Sequence, residues 1–286
     1  MYLADGWQDF EILDAGNGDK LERWGAYVLL RPDPQAVWPM AAHDADAVYF
    51  RSQSGGGHWE FQKALPESWT VRYRGLTFVV RPTGFKHTGL FPEQAVNWDF
   101  MSDRLTAWKK AHGQQPRVLN LFAYTGGATC ACAKAGAQVV HVDAAKGMVQ
   151  WAKENRELSG LPETGFRFIV EDALAFVKRE IRRGSRYDGI VMDPPSYGRG
   201  PNGEVWKLEN ELYNLVSTAS EVLNDHPLFF FINSYTTGFQ PAVLQNILGK
   251  TVARPYGGTI DAEELCLPVR SGGVLPCGAT GRWLNI

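Results

Sequence analysis

Up to about residue 90 the apolar residues come in short runs, "FEILDAG", "AYVLLRP", "AVYFRS", "WTVRYRG" and "LTFVVRP", rich in β-branched and aromatic side chains. Turn formers such as "NGD" and "SGGGH" separate them. Runs of this kind, bounded by glycine and polar residues, predict strands. The glycines Gly55–Gly57 lack the following helix and the Lys-Ser/Thr of a phosphate loop, so they are read as a hairpin loop.

From about Pro92 the rhythm changes. "PEQAVNWDFMSDRLTAWKKAH" has helical spacing, with Val96, Phe100, Leu105 and Trp108 as candidates for one buried face. Apolar runs then alternate with helical patterns: "RVLNLF", "QVVHVD", "FRFIV", "YDGIVMD" and "PLFFFIN" are each followed by a segment of helical character. The segment "EVWKLENELYNLVSTASEVLN" is the fourth of these helices. Continuous apolar runs separated by helices imply a parallel sheet covered on both faces, an α/β fold. The tail, "IDAEELCLPVRSGGVLPCGATGRWLNI", reads as two further strands around a glycine-rich turn. The expected division is a small β-rich domain over 1–84 and an α/β domain over 85–286, with a leading segment 85–112 and the sheet from 116.

The chain has 286 residues, a length that suits about two domains, and is 44% apolar. The net charge of −2 excludes a basic nucleic-acid binder by bulk composition. Residues 1–90 carry 9 Lys+Arg against 11 Asp+Glu, and the remainder carries 20 against 20. Cys130, Cys132, Cys266 and Cys277 form no C-x-x-C pair and have no histidine cluster beside them, so no metal is expected. They read as reduced core residues. Neither a signal peptide nor a membrane-length apolar run is visible, and a soluble cytoplasmic protein is the expectation. Of the ten tryptophans, Trp38, Trp59 and Trp69 are expected in the core of the β half.

In an open α/β sheet, ligands sit at the carboxyl ends of the strands. After the first run comes "NLFAYTGGATCACA", where Gly126 and Gly127 open a helix with neither a G-x-G-x-x-G nor a Walker A pattern. After the second comes Asp143, placed to accept hydrogen bonds from ribose hydroxyls. After the third come Glu171 and Asp172; Asp172 either accepts from an adenine amino group or caps the helix that follows. After the fourth comes Asp193, then Pro194 and Pro195. Glycine loop, ribose acid, adenine-side acid and Asp-Pro-Pro together describe a nucleoside pocket without a phosphate clamp, and S-adenosyl-L-methionine meets that description. The prolines fix φ and remove two N–H donors, leaving nearby carbonyls as acceptors for a nucleophile.

"VLNLFAYTGGAT", "VDAAKGMVQWAKEN" and "YDGIVMDPPSYGRG" resemble the class I methyltransferases related to bacterial 23S rRNA cytosine-C5 and guanine methyltransferases, and "GFKHTGLFPEQAVNWDFM" resembles the segment that precedes their sheet. The resemblance covers roughly Phe85 to Ser234 and implies a Rossmann-like methyltransferase sheet. Carried over residue by residue, it implies that Phe122, Tyr124, Thr125 and Gly126 line the methionine end of the cofactor. It further implies Asp143 at the ribose, Asp172 facing the adenine, and Asp193 near the transferring methyl; Glu171, next to Asp172, is counted among the cofactor-binding candidates. Lys86 and Phe91 are implied to close over the cofactor. The family's Arg after Asp-Gln/His is missing, since the chain reads Glu93-Gln94-Ala95-Val96-Asn97.

Methylation of cytosine C5 needs a thiolate at C6. The slots where such enzymes place it read Pro195-Ser196-Tyr197 and Asn233-Ser234-Tyr235 here. Amine-methylating enzymes place a base-stacking aromatic right after the prolines; here Ser196 intervenes and Tyr197 follows, as in the related guanine-N7 domains. The catalytic set is therefore Asp193, Pro194, Pro195 and Tyr197, with Ser196 and Arg199 as substrate contacts. Arg199 lies in the glycine-flanked loop "SYGRGPNGE", which reads as flexible. Lys207 either reaches the pocket or lies on a solvated helix face. The cluster Lys178, Arg179, Arg182, Arg183 and Arg186 either draws an RNA backbone or complements a helix C-terminus, and it sits at the end opposite the pocket. The expected function is methylation of a base nitrogen in RNA, with ribosomal RNA favoured and no membrane partner. The alternatives are a small-molecule or protein acceptor, cytosine-C5 methylation, and a non-catalytic nucleoside-binding module.

Overall fold

The structure, a computed structural model, describes residues 1–41, 43–52, 56–84, 86–199 and 205–285. By packing, the chain divides into two compact units, one of residues 2–96 with 265–277, the other of residue 1, 97–264 and 278–286.

The first unit is β-rich. It holds β1 (Tyr2–Leu3), β2 (Phe10–Gly16), β3 (Asp19–Trp24), β4 (Tyr27–Pro32), β5 (Ala47–Arg51), β6 (Gly57–Phe61), β7 (Trp69–Tyr73) and β8 (Leu76–Val80). Strands β2 to β6 form one sheet in chain order, antiparallel except for the β4–β5 pair, and β7–β8 is a separate hairpin. Strand β3, "DKLERW", lacks the apolar signal of its neighbours because Glu22 and Arg31 are buried against each other, with Arg31 Nη2 donating to Glu22 Oε1 at 2.8 Å. Buried charges survive when paired and hydrogen-bonded. Strands β5 and β6 pair antiparallel, with Gly57 opening β6, and Gly55 of the expected loop lies outside the described residues.

Trp24, fully buried against Phe10, anchors the core of this unit. Trp59 and Trp69 are half-buried, and each indole N–H donates to a carbonyl, of Thr83 and of Trp24. Trp38 corrects the expectation: it is 38% exposed. It follows Val37 in an irregular segment after β4, where no strand alternation turns its side chain inward.

The second unit is a layered α/β domain. It contains α1 (Ala95–His112, from residue 97), β9 (Arg117–Leu121), α2 (Gly127–Lys134), β10 (Gln138–Asp143), α3 (Lys146–Leu158), β11 (Phe166–Val170), α4 (Ala173–Arg182), β12 (Gly189–Met192), β13 (Tyr197–Arg199), β14 (Val205–Lys207), α5 (Leu208–Ser220), β15 (Phe229–Ser234) and α6 (Pro241–Leu248). Two long strands, β16 (Thr259–Pro268) and β17 (Val274–Leu284), close the chain. The sheet order in this unit is β16-β17-β15-β12-β9-β10-β11, with β9, β10, β11, β12 and β15 parallel and β17 antiparallel to β15. Every residue of β12 and β15 is buried, which is why these strands read as unbroken apolar runs. Order reverses between β9 and β12: β10 lies on one side of β9 and β12 on the other. A crevice at the carboxyl ends of strands forms at such a switch point.

Two expected details differ. The buried stripe of α1 is Asn97, Trp98, Met101 and Leu105, with Val96, Phe100 and Trp108 only half-buried beside it. A polar Asn97 belongs to that stripe because its amide meets Asn233 Oδ1 at 3.0 Å and Arg282 Nη2 at 2.7 Å. The segment after the prolines, expected as loop and then helix, instead contains the β13–β14 hairpin, and the helix starts only at Leu208. Lys207 is thus an exposed strand residue. Residues 200–204 of the expected loop lie outside the described residues.

Candidate active site

The four strand ends named from sequence lie along the carboxyl edge of one sheet, with those of β9 and β12 flanking its switch point. The chain leaving β9 is built in an unusual way. Phe122 and Tyr124 have φ of 53° and 51°, in the left-handed region where a β-carbon crowds the carbonyl. Such strain is kept only where neighbouring groups over-determine it, and it clusters at functional sites. Here the neighbours are explicit. Ala123 N–H donates to the Val142 carbonyl at 3.0 Å, and Tyr124 N–H donates to Asp143 Oδ2 at 2.8 Å. Gly126 follows with φ 84° and caps α2. A β-carbon there would stand 2.9 Å from that of Ala152, so both conformation and packing require glycine. At Gly127 the space is taken by the Trp98 ring.

Asp143, the last residue of β10, is half-buried. Its Oδ1 accepts from Ala145 N–H at 2.8 Å and its Oδ2 from Tyr124 N–H. Burial pushes its carboxyl above the usual value, opposed by these two N–H bonds. An ionised carboxylate offers about four acceptor sites, so each oxygen keeps capacity for one more donor. That is the demand of a vicinal diol. The acceptor sites thus fit a nucleoside sugar, and the absence of a Walker-type lysine in the glycine loop fits a ligand without a phosphate there.

Beyond β11, Asp172 caps α4, accepting from Ala175 N–H at 2.8 Å, and is exposed. The capping role read from sequence is therefore present. Glu171 is engaged by Arg179 Nη1, at 2.7 Å to Oε1. That pairing, together with Arg183 Nη1 to Glu180 Oε1 at 3.3 Å, absorbs two members of the basic cluster at the end of α4.

Beyond β12, Asp193 is half-buried and its N–H donates to the Leu121 carbonyl at 3.3 Å, tying the two central strands together. Pro194 is buried, and Pro195 and Ser196 are exposed. Tyr197 opens β13 and is 50% exposed. The Pro195 carbonyl accepts from Trp206 Nε1 at 2.7 Å. The Ser196 hydroxyl accepts from Thr236 Oγ1 at 2.6 Å. Arg199 pairs with Val205 through the backbone.

Lys86 and Phe91 lie in the β-rich unit. Arg31 Nη1 donates to the Lys86 carbonyl at 2.6 Å, and burial lowers the Lys86 pKa, with Lys20 and Arg51 adding to the effect. Phe91 packs against His87 with centroids 5.3 Å apart. Phe85, where the leading segment was expected to begin, lies outside the described residues.

Sequence reasoning passed over two residues of this region. Asn155 is fully buried in α3 and donates to the Thr125 carbonyl at 2.8 Å, holding the glycine loop from behind. Its signal was a lone amide on an otherwise apolar helix face. Trp206 touches both central strand ends, and nothing in its sequence context marks it. Two of the cysteines are poor nucleophiles: Cys130 and Cys132 are fully buried, their thiols pushed up to about 12 by burial. Cys277 is also raised well above its usual value by burial. Among the described residues no helix is long and apolar enough to cross a membrane.

Comparison with known proteins bears on the same region. The family described as S-adenosylmethionine-dependent methyltransferase matches residues 41–224. The crystal structure of a SAM-dependent methyltransferase from Agrobacterium tumefaciens is 37% identical, with a TM-score of 0.92 over 99% of this chain and 93% of that one. Ribosomal RNA large subunit methyltransferase K/L of Shewanella frigidimarina is 32% identical over 197 residues, which are 68% of this chain and 25% of that protein. Ribosomal RNA large subunit methyltransferase K of Neisseria meningitidis is 26% identical over 235 residues, 76% of this chain and 64% of that one. The match thus spans about a quarter of the length of the K/L protein.

Proposed function

Because the chain belongs to the S-adenosylmethionine-dependent methyltransferase family, its cofactor is S-adenosyl-L-methionine, and we propose that the methyl acceptor is a base nitrogen in RNA, with ribosomal RNA the favoured substrate. Relatives named as rRNA methyltransferases support the RNA acceptor. One observation carries the choice of nitrogen. Asp193-Pro194-Pro195 leads to an exposed Tyr197, while Ser234-Tyr235 stands where cytosine-C5 relatives carry a thiol.

The cofactor supplies an electrophilic methyl group on a sulfonium. In this reading Asp143 holds the ribose, Asp172 contributes to the adenine side, and Phe122, Tyr124, Thr125 and Gly126 line the methionine end. Glu171, already paired with Arg179, is the weakest of the proposed contacts. Lys86 and Phe91 carry over from the resemblance as proposed cofactor contacts. Asp193 accepts a hydrogen bond from the acceptor N–H and fixes the nucleophile's direction, Tyr197 stacks on the base, and Ser196 and Arg199 contact the substrate. Positioning of this kind accounts for much of the rate of an in-line displacement.

A second reading, a small-molecule or protein acceptor, draws on the net charge of −2 and the balanced charge of both halves. Mass spectrometry of nucleosides from RNA of cells with and without the gene separates the two. Loss of one N-methylated nucleoside, restored by the purified protein, is the expected result. An unchanged nucleoside profile would exclude the RNA reading.

A further inference from the structure

Trp206 occupies an unusual place. It lies in β14, opposite Gly198 of β13. Its indole N–H donates to the Pro195 carbonyl at 2.7 Å, and its ring stands 5.7 Å from that of Phe122, tilted by 45°. Phe122 is the first residue beyond β9 and holds the strained left-handed backbone; Pro195 is the third beyond β12. One side chain therefore touches both strand ends that flank the switch point.

The surroundings explain why this matters. Strands β13 and β14 are three residues each, and an isolated two-stranded hairpin is marginally stable in water. Packing must hold it. Besides Trp206, the hold comes from Leu208 N–H to the Ser196 carbonyl at 3.1 Å and from the Thr236–Ser196 hydroxyl pair. A carbonyl fixed by an indole fixes the Pro195–Ser196 peptide plane, and with it the direction in which Tyr197 leaves. The same ring leans on Phe122, so a change at the Phe122 loop is felt at the Pro195 carbonyl.

We propose that Trp206 is a positioning residue that couples cofactor occupancy at the β9 end to the seating of the Asp193-Pro194-Pro195-Ser196-Tyr197 segment. The inference rests on the reading that Phe122 lines the cofactor and Asp193 holds the acceptor.

The test uses the full-length protein, S-adenosylhomocysteine as the ligand, and total RNA from cells lacking the gene as the acceptor. Trp206→Phe keeps a ring against Phe122 but removes the N–H; Trp206→Ala removes both. The difference in tryptophan emission between wild type and Trp206→Phe reports on Trp206 alone, and it should change when S-adenosylhomocysteine is added. Trp206→Phe should bind the ligand within about threefold of wild type while kcat falls about tenfold, the size of one lost neutral hydrogen bond. Trp206→Ala should lose about tenfold in ligand affinity as well. A merely structural tryptophan would lower the melting temperature in both variants and leave kcat per folded molecule unchanged. A difference emission blind to ligand, or full turnover in Trp206→Phe, overturns the proposal. Asp143→Ala is the control for the underlying reading: if it binds S-adenosylhomocysteine as wild type does, the cofactor assignment fails, and the coupling with it.

Discussion

The ends of β9 and β12 are neighbours in one sheet, yet they are held by different means. Beyond β9 the backbone is locked to the backbone and carboxylate of β10: Ala123 to Val142, Tyr124 to Asp143, and Gly126 back to Ala123 at 3.0 Å. Beyond β12 two backbone bonds, Asp193 to Leu121 and Leu208 to Ser196, are joined by side chains that arrive from elsewhere, Trp206 and Thr236. A loop fixed by backbone bonds keeps its shape whatever most of its side chains become, and suits a ligand that never varies. A segment fixed by side chains changes aim when one of them changes, and suits the partner that sets specificity. The strain of Phe122 and Tyr124, on the order of 1–2 kcal/mol each, lies wholly on the locked side.

The sharpest way to break this comparison is Asp193→Ala. It should bind S-adenosylmethionine within a few-fold of wild type in calorimetry, yet transfer methyl about a hundred-fold more slowly, since a positioning group acts chiefly on kcat. If excess cofactor rescues the defect, Asp193 belongs to the cofactor side.

Asp143→Ala should show the reverse, with affinity weakened by about 2 kcal/mol, as for hydrogen bonds to a charged acceptor, and with turnover recovered at high cofactor. The pH dependence follows from the same carboxyl. Donors from a sugar favour the ionised form, and burial raises the pKa above the ordinary 3.8. Affinity is therefore full above that raised pKa and falls as the pH drops through it. Asp143→Asn should flatten the acid limb in a titration of S-adenosylhomocysteine binding; a limb that persists unchanged assigns it to another group.

Asn155→Ala tests the lock from behind. Removing the amide leaves the Thr125 carbonyl without that partner in a buried place, which costs about 1–3 kcal/mol. Denaturant unfolding should show the loss, and cofactor affinity should fall with it. An unaltered unfolding midpoint would mean that the loop holds its shape without α3.

The smallest effect is expected at the thiols. With Cys130 and Cys132 pushed up to about 12, an alkylating reagent at neutral pH should leave turnover of the folded protein intact. Covalent capture of RNA containing 5-fluorocytosine would contradict the nitrogen reading.

Much of this was legible along the chain. The runs that became β9, β10, β12 and β15 read as parallel strands because both faces of the sheet are covered there, whereas β11, at the edge, has no fully buried residue. Asp143 and Asp193 stood out because a carboxylate that ends an apolar run has few structural reasons to be there, whereas Asp172 also offered a helix cap, which it makes. Other features left no mark. Glu22 made β3 look polar, since its partner Arg31 comes from the next strand. Asn97 hid the buried stripe of α1 for the same reason. The hairpin after the prolines was missed because three-residue strands are too short to show a period.

The sequence by itself determined the element order, the parallel sheet and the acids at its carboxyl edge, because burial on two faces and helical spacing are properties of neighbouring residues. Only the tertiary structure decided the rest. It brought Phe122 and Tyr124 into a conformation that neither prefers, with bonds from β10 holding them there. It placed Asn155 behind the glycine loop and gave Trp206 a carbonyl on one side and a phenyl ring on the other. The partners in each case lie far apart along the chain, so no local pattern carries them, and the free energy that selects them exists only once the sheet has assembled.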